Sequence, residues 1–261
     1  MSGAIVCVCL VAASSAALVA LVYLADDDKP NSRSDGSSSP SMQMQQTTIS
    51  KSIPELPSWA RMSVTGVVEK PLAYCAKVVR DANSENKKFD VVMWGDSITE
   101  FLRSEHVNVW NTYFGNIQSA LLGVVGTSVE ELTWRMMDKE KLNNAPRCIV
   151  ILNGIINLKF GRDGRENPAE HMDFLIGWIR AAMPSTKVVL MAVLPNASVS
   201  VSASNARYKD IAQKHGITFA ECGLDLNPND KNHFRDGTHP ASSGYDRMLR
   251  CLKPIVHNLL K

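Results

Sequence analysis

Ser97 follows an apolar run, Val91-Val92-Met93-Trp94, and a turn, Gly95-Asp96, and it heads the polar stretch Ile98-Thr99-Glu100. The pattern predicts a buried strand, a tight turn and a serine at a helix N-terminus. A hydroxyl placed there meets unpaired backbone N–H groups and the positive end of the helix dipole, so an oxyanion forming beside it is stabilised. Ser97 is therefore a candidate nucleophile, although Gly-Asp-Ser alone serves equally well as a helix cap. A nucleophilic serine needs a base. Near the C-terminus, Asp236 and His239 stand three residues apart, followed by Pro240 and Gly244-Tyr245. With that spacing the carboxylate can accept from imidazole Nδ1–H, leaving Nε2 to take a proton from a serine hydroxyl. Gly126, after the apolar stretch 117–122, lets the backbone approach a substrate closely or simply makes a tight turn.

These residues need a frame to bring them together. Helical and strand-like segments alternate along the chain: helix 72–83, strand 89–94, helix 107–114, strand 117–122, helix 129–138, strand 148–152, helix 168–182, strand 187–194, helix 203–215, strand 217–221 and helix 244–260. Five apolar strands separated by helices predict an α/β domain in which a five-stranded parallel sheet is covered on both faces, a three-layer, flavodoxin-like arrangement. Ligands of such sheets bind at the carboxyl ends of the strands, and Ser97 lies just past one.

Ahead of this domain, at 54–261, lie two different segments. Residues 4–25 carry no charge, and as a helix they would cross a hydrocarbon core of about 30 Å. The 1–25 segment reads as an uncleaved membrane anchor, or alternatively as a cleaved signal peptide. No Lys or Arg precedes the apolar run, and Tyr23 spoils the small-x-small pattern that Ala25 would complete, which favours the anchor. Lys29 and Arg33 follow the segment, which by the positive-inside rule alone puts the domain in the cytoplasm. An apolar N-terminus ahead of a domain with a candidate nucleophilic serine instead suggests the secretory pathway, where Asn196-Ala197-Ser198 would be a usable sequon. Residues 26–53, rich in Ser, Asp, Gln, Pro and Thr, lack the apolar surface needed to order them and read as a flexible linker.

A formal charge of +2 without a basic tract excludes a nucleic-acid partner. Cys75, Cys148, Cys222 and Cys251 are scattered without metal-ligand pairs, so no metal is expected; they read as buried thiols, or as a disulfide if the domain is lumenal or secreted. His106, His171, His215 and His257 fall in predicted helices, and His233 lacks a partner spacing. Arg162 and Arg165 flank a glycine-containing loop where they could meet an anionic substrate.

Gly95-Asp96-Ser97-Ile98-Thr99 and Asp236-Gly237-Thr238-His239-Pro240 resemble the first and last blocks of the GDSL, or SGNH, hydrolases. Gly123-Val124-Val125-Gly126-Thr127-Ser128 with Leu132-Thr133-Trp134-Arg135-Met136 resembles the second block, nearest the branch that holds the platelet-activating-factor acetylhydrolase α1-type subunits. The resemblance implies Ser97 as nucleophile, His239 as base, Asp236 as its orienting partner, and the N–H groups of Ser97 and Gly126 as oxyanion donors. The third block departs from the family. Where Gly-x-Asn-Asp is expected, the chain reads Gly154-Ile155-Ile156-Asn157, which puts Ile156 at the position of the third donor. Loss of one such donor costs about 10²–10³ in rate. Asn157 from the next position, Asn153 from the strand end, or two backbone donors alone are the replacements, with Asn157 first.

The expected activity is hydrolysis of a small-molecule, lipid or carbohydrate ester through an acyl-enzyme, without a cofactor. O-acyl transfer by the same triad, or a catalytically weak domain that binds acylated ligands or a partner protein, are the alternatives.

Overall fold

The computed structural model describes residues 52–62, 66–161 and 168–261. The 1–25 anchor or signal segment, nearly all of the 26–53 linker, and Arg162 and Arg165 lie outside the described residues. Among the described residues no helix is long and apolar enough to cross a membrane.

The five strands are β1 (Val91–Gly95), β2 (Ser119–Gly123), β3 (Cys148–Leu152), β4 (Lys187–Met191) and β5 (Thr218–Ala220). All neighbours are parallel, in the order β2-β1-β3-β4-β5. Every residue of β1 and β3 is buried, which is why both read as unbroken apolar runs: helices cover both faces of the sheet. On one side α2 (Ser97–Ser104), α3 (Val107–Phe114) and α8 (Ser242–Leu260) pack together; on the other, α6 (Pro168–Ala182) packs on α7 (Ser202–His215) and α4 (Val129–Trp134). The strand order reverses around β1. Chain excursions leave it in opposite directions to β2 and β3, so the carboxyl ends of β1 and β3 open a crevice at the switch point. The three-layer α/β expectation describes this architecture.

Several elements differ in extent. Helix α1 spans Gly66–Ser84 and carries Pro71 inside it, where the sequence suggested a start after that proline. The predicted helix 129–138 divides: α4 ends at Trp134 and a π-helical turn, Arg135–Lys139, continues it. A short helix absent from the sequence reading, α5 (Ile155–Phe160), follows β3 directly. Strand β4 ends at Met191; Ala192, Val193 and Leu194 remain buried and extend the apolar signal beyond the strand's hydrogen bonds. Cys222 and Cys251 form a disulfide across the turn after β5 and α8, while Cys75 and Cys148 are free and buried. The buried-thiol expectation is thus corrected for one pair. Burial pushes both free thiols up to about 12, which keeps them protonated and unreactive.

Candidate active site

The position of Ser97 is set by two close approaches. Asp96 caps α2 by accepting from the Ile98 N–H at 2.9 Å, which makes Ser97 the first helical residue, with an N–H that has no intrahelical acceptor. Gly123, ending β2, touches the first turn of α2: a Cβ there would collide with the Glu100 backbone nitrogen. The helix N-terminus therefore rests directly on the sheet edge, and Ser97 is only 3% exposed.

Ser97 Oγ lies 2.9 Å from His239 Nε2, and His239 Nδ1 lies 2.7 Å from Asp236 Oδ2. The Asp236 Oδ1 atom accepts from the Thr238 and His239 N–H groups at 3.0 and 2.8 Å, so the carboxylate holds its own loop in shape. Burial works against ionisation of Asp236, but the hydrogen bonds from the His239 backbone and imidazole and from Thr238 outweigh it and bring the carboxyl down to about 2. The Phe101 ring meets the His239 imidazole edge-on at 4.8 Å, and the Arg235 guanidinium covers Phe101 at 4.1 Å. Tyr245 Oη donates to the Ile98 carbonyl at 2.7 Å and ties α8, which follows the histidine loop, to the serine's helix. With the imidazole proton on Nδ1, Nε2 is free to accept from the serine hydroxyl.

Gly126 sits at φ +72°, a conformation that suits glycine, and is exposed between residues that are held on both sides. Glu100 Oε2 accepts from Val125 N–H at 2.7 Å; Asn153 Nδ2 donates to the Thr127 carbonyl at 3.0 Å; Asn157 Oδ1 accepts from Val129 N–H at 3.0 Å. Arg135 approaches from beneath, donating to the carbonyls of Gly95 at 2.9 Å and Leu122 at 2.6 Å and reaching Thr127 Oγ1 at 3.4 Å. It is fully buried and paired with Glu140 at 2.7 Å, whose other oxygen accepts from Trp94 Nε1 at 2.8 Å.

The expectation for Asn157 as an oxyanion donor is corrected. Its amide Nδ2 donates to both Glu130 oxygens, at 3.1 and 2.8 Å, and its Oδ1 is taken by Val129, so the side chain braces the Gly126 turn instead. Glu130 is also met by His171 Nδ1 at 2.6 Å, and Trp59 stacks on that imidazole at 4.0 Å. Burial opposes ionisation of Glu130, yet the bonds from His171 and Asn157 hold it near 2. Asn153 is likewise committed to Thr127. Glu100, Glu130, Arg135 and Glu140 were not singled out from the sequence. The available signal was Arg135, a charge within the apolar run Leu132-Thr133-Trp134 and Met136-Met137. Among the described residues no cluster of His, Cys, Asp or Glu is arranged to hold a metal ion.

Residues 93–247, which span Ser97, Gly126 and the Asp236 loop, match the model of the GDSL-like lipase/acylhydrolase family. The chain belongs to this family. Among curated relatives of this family member, the platelet-activating factor acetylhydrolase IB subunit alpha2 of Homo sapiens is 24% identical over 115 residues, covering 42% of the chain and 46% of the relative. Subunit alpha1 of Rattus norvegicus is 23% identical over 114 residues, covering 44% and 47%. The chain thus spans about half the length of the curated relatives it matches. Among solved structures, a GDSL-like lipase from Bacteroides thetaiotaomicron superposes with a TM-score of 0.58 at 22% identity, covering 72% of this chain and 97% of that one. An acetyl-xylooligosaccharide esterase variant from Geobacillus Stearmophilus gives 0.51 at 16% identity, over 64% and 94%. These two likenesses concern the fold.

Proposed function

We propose that this GDSL-like acylhydrolase is a serine esterase in which Ser97 attacks the ester carbonyl. His239 takes the Oγ proton and returns it to the departing alcohol; the acyl group stays on Ser97 Oγ until a water, deprotonated by the same imidazole, releases the acid. Asp236 keeps the imidazole oriented and stabilises its protonated form. The N–H groups of Ser97 and Gly126 receive the oxyanion, and Ile156 supplies no third donor. The observation that carries this reading is the continuous chain Ser97 Oγ, His239 Nε2, His239 Nδ1, Asp236 Oδ2, with both links under 3 Å. Hydrolysis of a short-chain nitrophenyl ester by the 52–261 segment and by Ser97→Ala tests it: the substitution is expected to lower kcat by at least about 10³-fold, and unchanged turnover would remove Ser97 from the reaction.

Residues 54–261 form the catalytic domain in this reading, tethered through 26–53 to a membrane-anchoring or signal segment at 1–25. The Cys222–Cys251 disulfide supports an oxidising compartment, and so the secretory pathway. The substrate is an acyl or acetyl ester of a small molecule, lipid or carbohydrate, a range supported by the acetylhydrolase and acetyl-xylooligosaccharide esterase names of the relatives.

A further inference from the structure

Three segments that leave the carboxyl ends of β3, β4 and β5 meet on one hydroxyl beside the histidine. Thr238 Oγ1 receives Lys159 Nζ, from α5 after β3, at 3.0 Å, and Asn196 Nδ2, from the turn after β4, at 2.9 Å. Asn196 is oriented by its own turn: Oδ1 accepts from the Ser198 N–H at 2.9 Å, which leaves the NH₂ group facing Thr238. A second bond across the same seam, Ala197 N–H to the Gly237 carbonyl at 3.0 Å, locks the two loops together. Thr238 precedes His239, so this cluster of donors sits one residue from the imidazole that contacts Ser97.

The charge balance of the cluster is unusual. Arg235, the nearby cation on the histidine loop, is neutralised by Glu105 at 2.7 Å and by Asp236 at 3.9 Å. Lys159 is in no ion pair with a described residue; its ammonium meets the neutral Thr238 hydroxyl and lies 5.6 Å over the Phe160 ring, which is itself 66% exposed. A half-buried ammonium with one neutral partner retains two unused donors and gains most from an incoming anion. The exposed Phe160 offers apolar surface beside it.

We infer that Lys159, Asn196 and Thr238 form a subsite for an anionic oxygen group, a carboxylate or a phosphate, carried by the ester itself. This rests on the serine esterase reading and names a substrate class for it: esters with a negative charge near the scissile bond. It also bears on the sequon, because a glycan on Asn196 would occupy the nitrogen that bonds Thr238.

Two matched pairs of esters test the subsite and distinguish the acyl from the alcohol side. The first pair is mono-4-nitrophenyl succinate against 4-nitrophenyl butyrate; the second is 3-acetoxybenzoate against its methyl ester. The enzyme is expected to prefer the anionic member of at least one pair in kcat/KM, with the preference shrinking as KCl is added. Lys159→Met is expected to reduce that anionic-to-neutral ratio by roughly 10-fold, mainly through KM, the scale of one charge-assisted hydrogen bond, and Lys159→Arg to retain part of it. No anionic preference in either pair, or an equal loss on both members in Lys159→Met and Lys159→Gln, would overturn the subsite and leave Lys159 as a strut for Thr238. If Lys159→Met does not fold, the salt dependence and Lys159→Gln decide. Ser97→Ala run alongside separates the two levels: turnover that survives it removes the esterase reading and the subsite together, whereas Ser97-dependent turnover with an unmoved ratio removes only the subsite.

Discussion

At the scale of single residues, the groups of the proposed triad are encoded by local chemistry. A serine at a strand-to-helix turn and a carboxylate three residues before a histidine each need only neighbours in sequence, and the fold brings Ser97 within 2.9 Å of His239. Asn157 could not be read this way. Its partners Glu130 and Val129 lie 27 and 28 residues away, and no spacing rule exposes such a contact. Asn157→Ala is expected to loosen the Gly126 turn, lowering kcat several-fold with little change in KM and lowering stability by about 1–3 kcal/mol, since Glu130 and Val129 N–H lose buried partners. A variant with wild-type kcat and unfolding midpoint would show that the brace is idle. Asp96 gives a pH-dependent prediction. Burial raises its carboxyl from 3.8 to about 7, only partly offset by the Ile98 N–H bond and Arg135. Between those values the folded protein holds a proton that the unfolded chain has released, so this contribution to stability is complete below about pH 4 and is lost as pH rises through about 7. Asp96→Asn keeps the Ile98 cap but cannot ionise. Its urea midpoint is expected to gain on the wild type between pH 5 and pH 8, and a gap that stays constant over that range would contradict a buried proton on Asp96.

At the scale of elements, the alternation of strands and helices was legible because parallel strands buried on both faces are continuously apolar and the amphipathic helices between them have their own period. The misread pieces are those whose limits depend on tertiary hydrogen bonds. The helix after β2 changes to a π turn at Arg135, whose guanidinium donates to Gly95, Leu122 and Glu140; π turns inside helices recur at functional sites. Helix α5 is a short helix entered through Gly154 at φ +123°, and no periodicity is detectable over so few residues. Arg135 binds the carbonyl that precedes the Asp96-Ser97 turn and the hydroxyl that follows Gly126, so it is a positioning residue for both proposed oxyanion donors. Glu140→Gln leaves that guanidinium buried without a countercharge and is expected to cost about 3–5 kcal/mol in urea unfolding. At temperatures where the variant is folded, kcat is expected to fall more than KM changes. Loss of stability with kcat and its pH profile intact would make the pair purely structural.

At the scale of the whole molecule, a disulfide was one reading of the cysteines but its pairing was not legible. Cys222 and Cys251 are separated by 29 residues, and only the packing of α8 beside the turn after β5 brings their Cα atoms to 5.4 Å. Closing that loop restricts the unfolded chain, so Cys251→Ser is expected to lower the free energy of unfolding by about 2–4 kcal/mol. Treatment of the wild type with dithiothreitol before a thermal melt is expected to reproduce most of the drop; equal melting temperatures with and without reductant would show that the bond does not support the fold. Acid acts on the same scale. Asp236 and Glu130 both ionise near 2 in the folded state, so their contributions are present above about pH 4.5 and disappear as pH falls toward 2. The family assignment follows from residues 93–247, and what remains particular to this chain is Ile156 where the proposed oxyanion site would have a donor. The serine esterase proposal requires that this site still support an acyl-enzyme on Ser97. Acid quench of the 52–261 segment during turnover of 4-nitrophenyl acetate, followed by peptide mass spectrometry, reads this directly. An acetyl group on the peptide containing Ser97, absent in Ser97→Ala, is the predicted result. Steady turnover with no covalent acetyl on Ser97, and no burst of nitrophenol, would contradict it.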